Sequence, residues 1–323
     1  MKRMLVLVAI TLLCGIAVRI YAAQQAPPAP PLWAFPVAPQ GAGQRGAPAP
    51  PDDGSPKHVP NSTVALTLAQ VRDTYNIPDW HPDNHPAAPD IVTHGRRPNV
   101  VSCGYCHLPN GQGRPENASV AGLPKEYILQ QMADFKSGAR KSSESRLGPI
   151  NLMINIAKAA TDEEVKAAAE YFSSFKLKPW IRVVETATVP KTRIAGGMYA
   201  PLEGTEKEPI GNRVIEVPEN LEQTELRDSG SGFVAYVPVG SIKKGEALAV
   251  KGQCAVCHGG DLRGLGPVPG IAGRSPDQMG RQLWDMKYGT RNGVWTQLMK
   301  PVVKDMTEED LVSITAYLAS RTP

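Results

Sequence analysis

The five-residue word Cys-x-x-Cys-His occurs twice, as Cys103-Gly104-Tyr105-Cys106-His107 and as Cys254-Ala255-Val256-Cys257-His258, and it limits what this chain can fold into more than any other feature. Cysteines three apart share one face of a helical turn, so both sulfurs reach one planar partner while the following imidazole aims at its centre. That arrangement is the attachment signature of c-type haem: two thioethers hold the porphyrin edge and the histidine ligates the iron. Zinc sites and thiol redox motifs also use Cys-x-x-Cys, but zinc calls for further Cys or His at finger-like spacing, and neither word has them. Two covalent haems are therefore expected, one on Cys103, Cys106 and His107, the other on Cys254, Cys257 and His258.

Cysteine usage agrees. Of five cysteines, four are consumed by the two words, and the fifth, Cys14, lies in an N-terminal segment that reads as a targeting signal. Met1-Lys2-Arg3 is the positive start, residues 4–18 form an apolar run short for a membrane span, and Ala22-Ala23 offers a cleavage site, so residues 1–23 read as a secretory signal peptide or, if uncut, a signal anchor. Export predicts a periplasmic protein, tethered to the inner membrane only if the signal remains. Removing Lys2, Arg3 and Arg19 takes the formal charge from +4 to +1, which gives no reason to expect a nucleic-acid partner. Residues 24–60, dominated by Pro, Ala and Gly, read as a disordered, semi-rigid linker.

Internal repetition sets the architecture. At the offset of 151 that relates Cys103 to Cys254, Gln131, Asp134, Lys136, Gly138 and Arg140 meet Gln282, Asp285, Lys287, Gly289 and Arg291. At an offset of 146, Met153, Lys158, Thr161, Glu163 and Tyr171 meet Met299, Lys304, Thr307, Glu309 and Tyr317. The chain thus carries two copies of one domain. Thr161-Asp162-Glu163-Glu164 is a capping box ahead of a helix with Val165, Ala168, Ala169 and Phe172 on one face; Thr307 opens its counterpart, with Leu311, Ile314, Tyr317 and Leu318. Helices are also expected at 125–135 and 276–286, and before each haem word, the second over about residues 241–250. The expected fold is mainly α: two helical domains at 61–176 and 241–323, joined by a long, partly extended connector at 177–240, in which Phe233-Val234-Ala235-Tyr236-Val237 reads as a strand.

An iron held by one histidine has a second axial position to fill. Methionine sulfur suits an electron carrier, because it is soft, raises the reduction potential and closes the site. Among nine methionines only Met153 and Met299 coincide under the repeat, and they are the expected distal ligands. Met132, Met286 and Met306 read as core or substitutes, and Met198 as a replacement ligand. Trp80-His81-Pro82-Asp83-Asn84-His85-Pro86 reads as a rigid loop against the first domain, with a metal or a second haem ligand left open. The second ring nitrogen of each proximal histidine needs an acceptor, expected near Pro267 or Pro269 and near Pro115.

With these residues the chain resembles the tandem di-haem class I cytochromes c of the cytochrome c4 type. The resemblance rests on the two haem words, on Phe135-Lys136-Ser137-Gly138-Ala139-Arg140 with Met286-Lys287-Tyr288-Gly289-Thr290-Arg291, and on the Met-to-Tyr stretch that closes each copy. It spans about residues 90–176 and 240–321, and departs in the connector, which is far longer than the short one of the c4 type. The resemblance implies haem attachment outside the cytoplasmic membrane and one-electron transfer between a respiratory or dehydrogenase donor and an oxidase-type acceptor. The rival is a di-haem enzyme. Peroxidase-like chemistry needs an open iron face, against which the paired methionines argue; a thiosulfate dehydrogenase-like site would use a cysteine ligand, and the only spare is Cys14.

Overall fold

The computed structural model describes residues 27–38 and 52–323. The expected signal, Cys14 and part of the Pro/Ala-rich segment lie outside them. Short helices α1 (Leu68–Val71) and α2 (Asp90–Thr93) precede the first haem word, which is itself helix α3 (Cys103–His107); α4 (Lys125–Ser137), α5 (Gly148–Ala159) and α6 (Asp162–Ser173) follow. The expected capping box forms, Thr161 accepting from the Glu164 backbone while Glu164 reaches back to the amide of Thr161. Helix α4 ends where Gly138 takes a left-handed conformation, φ 78°. Ile91 and Val92, Val100, Ile156, and Ala168, Tyr171 and Phe172 close into one small core.

The full helix expected before the first haem word is absent, a correction to the repeat reading. Helix α2 has only four residues, with Pro89 as its N-cap. After it Gly95 turns at φ 63°, where any β-carbon would strike the Val100 carbonyl, and Pro98 follows. The sequence thus has a turn and a proline where a repeat-based extrapolation places helix.

The second copy has its full set: α8 (Ser241–Lys251), the haem word as α9 (Cys254–His258), α10 (Pro276–Lys287), α11 (Lys300–Val303) and α12 (Glu308–Ser320). Thr307 and Asp310 form the second capping box. Helix α8 crosses α12 at Gly245, where a β-carbon would collide with the Ser313 carbonyl and the Tyr317 side chain. Leu311, Ile314 and Leu318 are buried as expected, in a core shared with Met279, Trp284, Met286, Val303 and Met306.

Between the copies, residues 177–240 hold strands β1 (Ile181–Glu185), β2 (Thr188–Pro190), β3 (Thr192–Ala195), β4 (Met198–Pro201), β5 (Lys207–Pro209), β6 (Ile215–Pro218) and β7 (Phe233–Val237), with helix α7 (Leu221–Glu225). Strand β7 falls on the five residues expected. It pairs parallel to β1 and antiparallel to β6, the two flanking it on either side. Alternation along β7 divides its side chains: Ala235 and Val237 join the core of the second copy, while Val234 and Tyr236 pack with Ile215, Val217, Val189, Tyr199 and Ile210. In the second copy a small hairpin, β8 (Gly264–Leu265) and β9 (Val268–Pro269), follows the haem word.

Part of the segment read as linker is not spacer. Trp33, Ala34 and Phe35 are fully buried in the core of the second copy. Trp33 Nε1 donates to Glu308 Oε1 at 3.1 Å, Arg281 Nη1 donates to the Ala34 carbonyl at 2.8 Å, and the Trp33 ring occupies the space left by the missing side chain of Gly280. Composition hid this plug, because three buried residues stand among prolines that cannot themselves form a core.

Candidate haem sites

Each haem word forms a five-residue helix whose next residue turns at positive φ, Leu108 at 63° and Gly259 at 84°, so the chain leaves sharply after the histidine. His107 Nδ1 lies 2.7 Å from the Ala118 carbonyl, and His258 Nδ1 lies 2.8 Å from the Pro269 carbonyl. A carbonyl only accepts, so Nδ1 carries the proton in both rings and Nε2 keeps its lone pair. Burial holds both imidazoles below their ordinary value, in the neutral form that ligates a metal. Pro269 is the acceptor expected in the second copy. In the first the acceptor is Ala118, at the same spacing of eleven residues, and not Pro115, whose carbonyl accepts from Arg281. The edge of Phe172, on α6, meets the His107 ring at a centroid distance of 6.2 Å.

Cys103, Cys106 and Cys254 do not suit thiolate chemistry. Burial pushes Cys103 up to about 12, and raises Cys106 and Cys254 as well. A metal-binding or redox dithiol shows the opposite shift.

Met153 sits within α5 and packs, with Cys103, against the core of the first copy. Met299 sits between the 3-10 turn Val294–Leu298 and α11 and packs, with Cys254, against the core of the second. Each methionine thus packs on the same core cluster as the first cysteine of its own haem word. Met286 and Met306 are buried core residues, as read. Met198 is buried, its sulfur accepting from Arg114 Nη2 at 3.4 Å. His81 pairs with Asp228 at 2.9 Å, and His85 bridges Asp79 and the Tyr171 hydroxyl, so both histidines hold the loop in place, as the proline-rich reading anticipates. Among the described residues no group of three or more His, Cys, Asp or Glu could hold a metal ion.

A clasp between the two copies went unassigned in the sequence, although its members stand in the repeat alignment. Arg140 donates to Gln131 (2.9 Å) and to Gln282 (2.8 Å); Arg291 donates to Gln282 (3.0 Å) and to Gln131 (2.8 Å). The two arginines thus exchange partners across the boundary, and Arg291 also reaches the Tyr127 hydroxyl. The Nε atoms of Arg140 and Arg291 and Nε1 of Trp284 are buried without a partner. Burying unpaired donors is costly, and donors left over in this way suit the carboxylates that a haem adds. Free Nε2 atoms, paired cysteines on single turns and orphaned buried donors all fit a haem in each copy.

A helical unit with this haem word, repeated, defines a c-type cytochrome. Residues 240–318 match the family described as cytochrome C oxidase, cbb3-type, subunit III. Cytochrome c-554(548) of Halomonas halodenitrificans is 34% identical over 71 residues, 22% of this chain and 86% of that protein. A thiosulfate dehydrogenase electron acceptor of Thiomonas intermedia is 26% identical over 234 residues, 69% of this chain and 80% of its own length. Cytochrome c4 of Azotobacter vinelandii is 22% identical over 221 residues, 67% of this chain and 82% of that protein. The chain belongs to the c-type cytochromes, and over about two thirds of its length it is similar to cytochrome c4. Its cofactors are covalently attached c-type haems, and its chemistry is electron transfer.

Proposed function

We propose that the protein is an exported carrier of single electrons in which His107 and Met153 ligate one iron and His258 and Met299 the other. The donor is a respiratory or dehydrogenase enzyme, the acceptor an oxidase-type complex. The matched hydrogen bonds of His107 and His258 carry this reading, because they fix the same tautomer and the same free nitrogen in both copies. The haem iron, when bound, supplies a one-electron couple. The residues then have plain tasks. Ala118 and Pro269 orient the imidazoles, Met153 and Met299 would supply the second ligand to each iron, and the arginine clasp offers buried positive charge between the two copies.

Two relatives named thiosulfate dehydrogenase electron acceptor support a donor that oxidises a reduced sulfur compound. Those names describe acceptors of electrons, in keeping with a carrier. No helix among the described residues is long and apolar enough to cross a membrane. Replacing Met153 or Met299 with Ala is expected to abolish the thioether-to-ferric charge-transfer band of that haem and to lower its potential. A wild-type ferric protein that binds cyanide or peroxide at rest would show an open iron and favour the enzyme.

A further inference from the structure

The repeat places four positions of the first copy, Tyr105, Asn110, Gln112 and Arg114, in register with Val256, Asp261, Arg263 and Leu265 of the second. Their surroundings are opposite. In the first copy all four are engaged by residues 177–240. The Arg227 guanidinium lies 3.7 Å over the Tyr105 ring, and its Nη1 donates to the Tyr105 carbonyl at 2.8 Å. Asn110 Nδ2 donates to the Ser229 carbonyl (2.9 Å), Gln112 Nε2 donates to the Ser231 carbonyl (2.7 Å), and Arg114 is tied to Met198. The covering loop is itself fastened: Trp80 Nε1 donates to the Leu226 carbonyl at 2.7 Å, and His81 holds Asp228.

In the second copy the same face is open. Val256 is 69% exposed and Leu265 60%, and Asp261 and Arg263 face solvent. Val250, at the end of α8, and Leu298, one residue before Met299, are 74% and 76% exposed. A side chain at Gly252 would touch both Cys254 Sγ and Val302, so the end of α8, the haem word and α11 meet there. Lys251 and Lys300 flank this apolar ground, and neither makes an ion pair among the described residues. Exposed apolar ground with a polar rim marks a protein-docking site.

We propose that the connector makes this carrier one-ported: residues 226–231 occupy the haem-word face of the first copy as a built-in partner, and redox proteins dock only on the face of the second, around Val250, Val256, Leu265 and Leu298. The proposal rests on the carrier reading above. The partner is a one-electron redox protein whose contact surface is apolar at its centre and acidic at its rim, facing Lys251 and Lys300. One electron leaves the partner, which is oxidised, and reduces the second site; the first site is filled and emptied through the second.

The test uses the full-length, haem-loaded protein, with a plant-type ferredoxin as an acidic one-electron probe. Amide shifts of the labelled ferrous protein on adding ferredoxin should fall at 250–265 and 298–300 and spare 103–114. In stopped-flow reduction by reduced ferredoxin, Val256→Glu and, separately, Lys251→Glu should slow both halves of the haem absorbance change, by about tenfold at low salt. One half keeping its wild-type rate, shifts at 103–114, or no shifts at all would overturn the single port. A resting ferric protein that binds cyanide would instead overturn the carrier reading and this proposal with it.

Discussion

The two copies carry the same haem word and the same closing helix, yet one is wrapped by chain that the other lacks. The second copy draws on Trp33, Ala34 and Phe35 from the N-terminal segment, on the full helix α8, and on Ala235 and Val237 from the connector sheet. The first has a four-residue helix in place of α8 and a smaller core. Accessory segments thus deepen the core of the second copy, whereas on the first they tie down loops through hydrogen bonds from residues 226–231 and the Trp80–His85 loop. A repeat fixes what each unit shares; what the units borrow from outside the repeat distinguishes them.

Removing the plug should break the symmetry of stability most. Trp33→Ala deletes a fully buried indole and its bond to Glu308, and should cost about 3–5 kcal/mol. The loss should be local. In native-state hydrogen exchange, amides of α12 should lose protection while those of α6 keep it. If both fall together, the copies unfold as one block and the contrast drawn above concerns structure alone.

Next in size is a buried carboxyl that hydrogen-bonds to the start of α10 in the second copy. Glu216, on β6, is fully buried; it accepts from Ser275 Oγ at 2.6 Å and from the Asp277 amide, and its Oε1 has no partner. Burial pushes its carboxyl up to about 7, and Asp277 beside it moves in the same direction for the same cause. A carboxyl raised on folding favours the folded state fully below its unfolded value, and this contribution is lost as pH rises through about 7. Glu216→Gln should therefore match wild type near pH 4 and be more stable by about 1–3 kcal/mol at pH 8, read by urea unfolding at both pH values. Equal curves at pH 8 would show that Arg281 already neutralises the pair.

How much of this was legible follows the range of the interactions. Haem words, capping boxes and the strand Phe233–Val237 are set within a few residues, and the sequence marks them. Met153 and Met299 were singled out by the repeat, not by local pattern. Trp33 escaped because its partner, the gap at Gly280, lies far along the chain. Arg140 and Arg291 were visible as repeated residues, but their exchange of glutamines exists only once the copies dock. The helix before the first haem word was expected because the repeat was extended over Gly95 and Pro98, where local chemistry decided otherwise.

The smallest effect probes what the copies have in common. Thr161 and Thr307 cap their helices with the same two bonds: each hydroxyl accepts from the third amide of the helix, at 3.2 Å and 3.1 Å, and the third side chain returns the bond to the threonine amide. Because the geometry is shared, Thr161→Ala and Thr307→Ala should each cost about 1 kcal/mol. The partners differ, however. Glu164 is also engaged by Arg96 at 2.6 Å, whereas Asp310 is engaged by Lys244 at 3.2 Å, within a cluster that includes Glu309. Raising salt screens such pairs, so two cap losses that stay equal in low and high salt would show that the helix start, and not its charged surroundings, is what the repeat preserves. A Thr307→Ala loss that grows with salt while the Thr161→Ala loss stays fixed would place the difference between the copies in those surface charges as well as in the core.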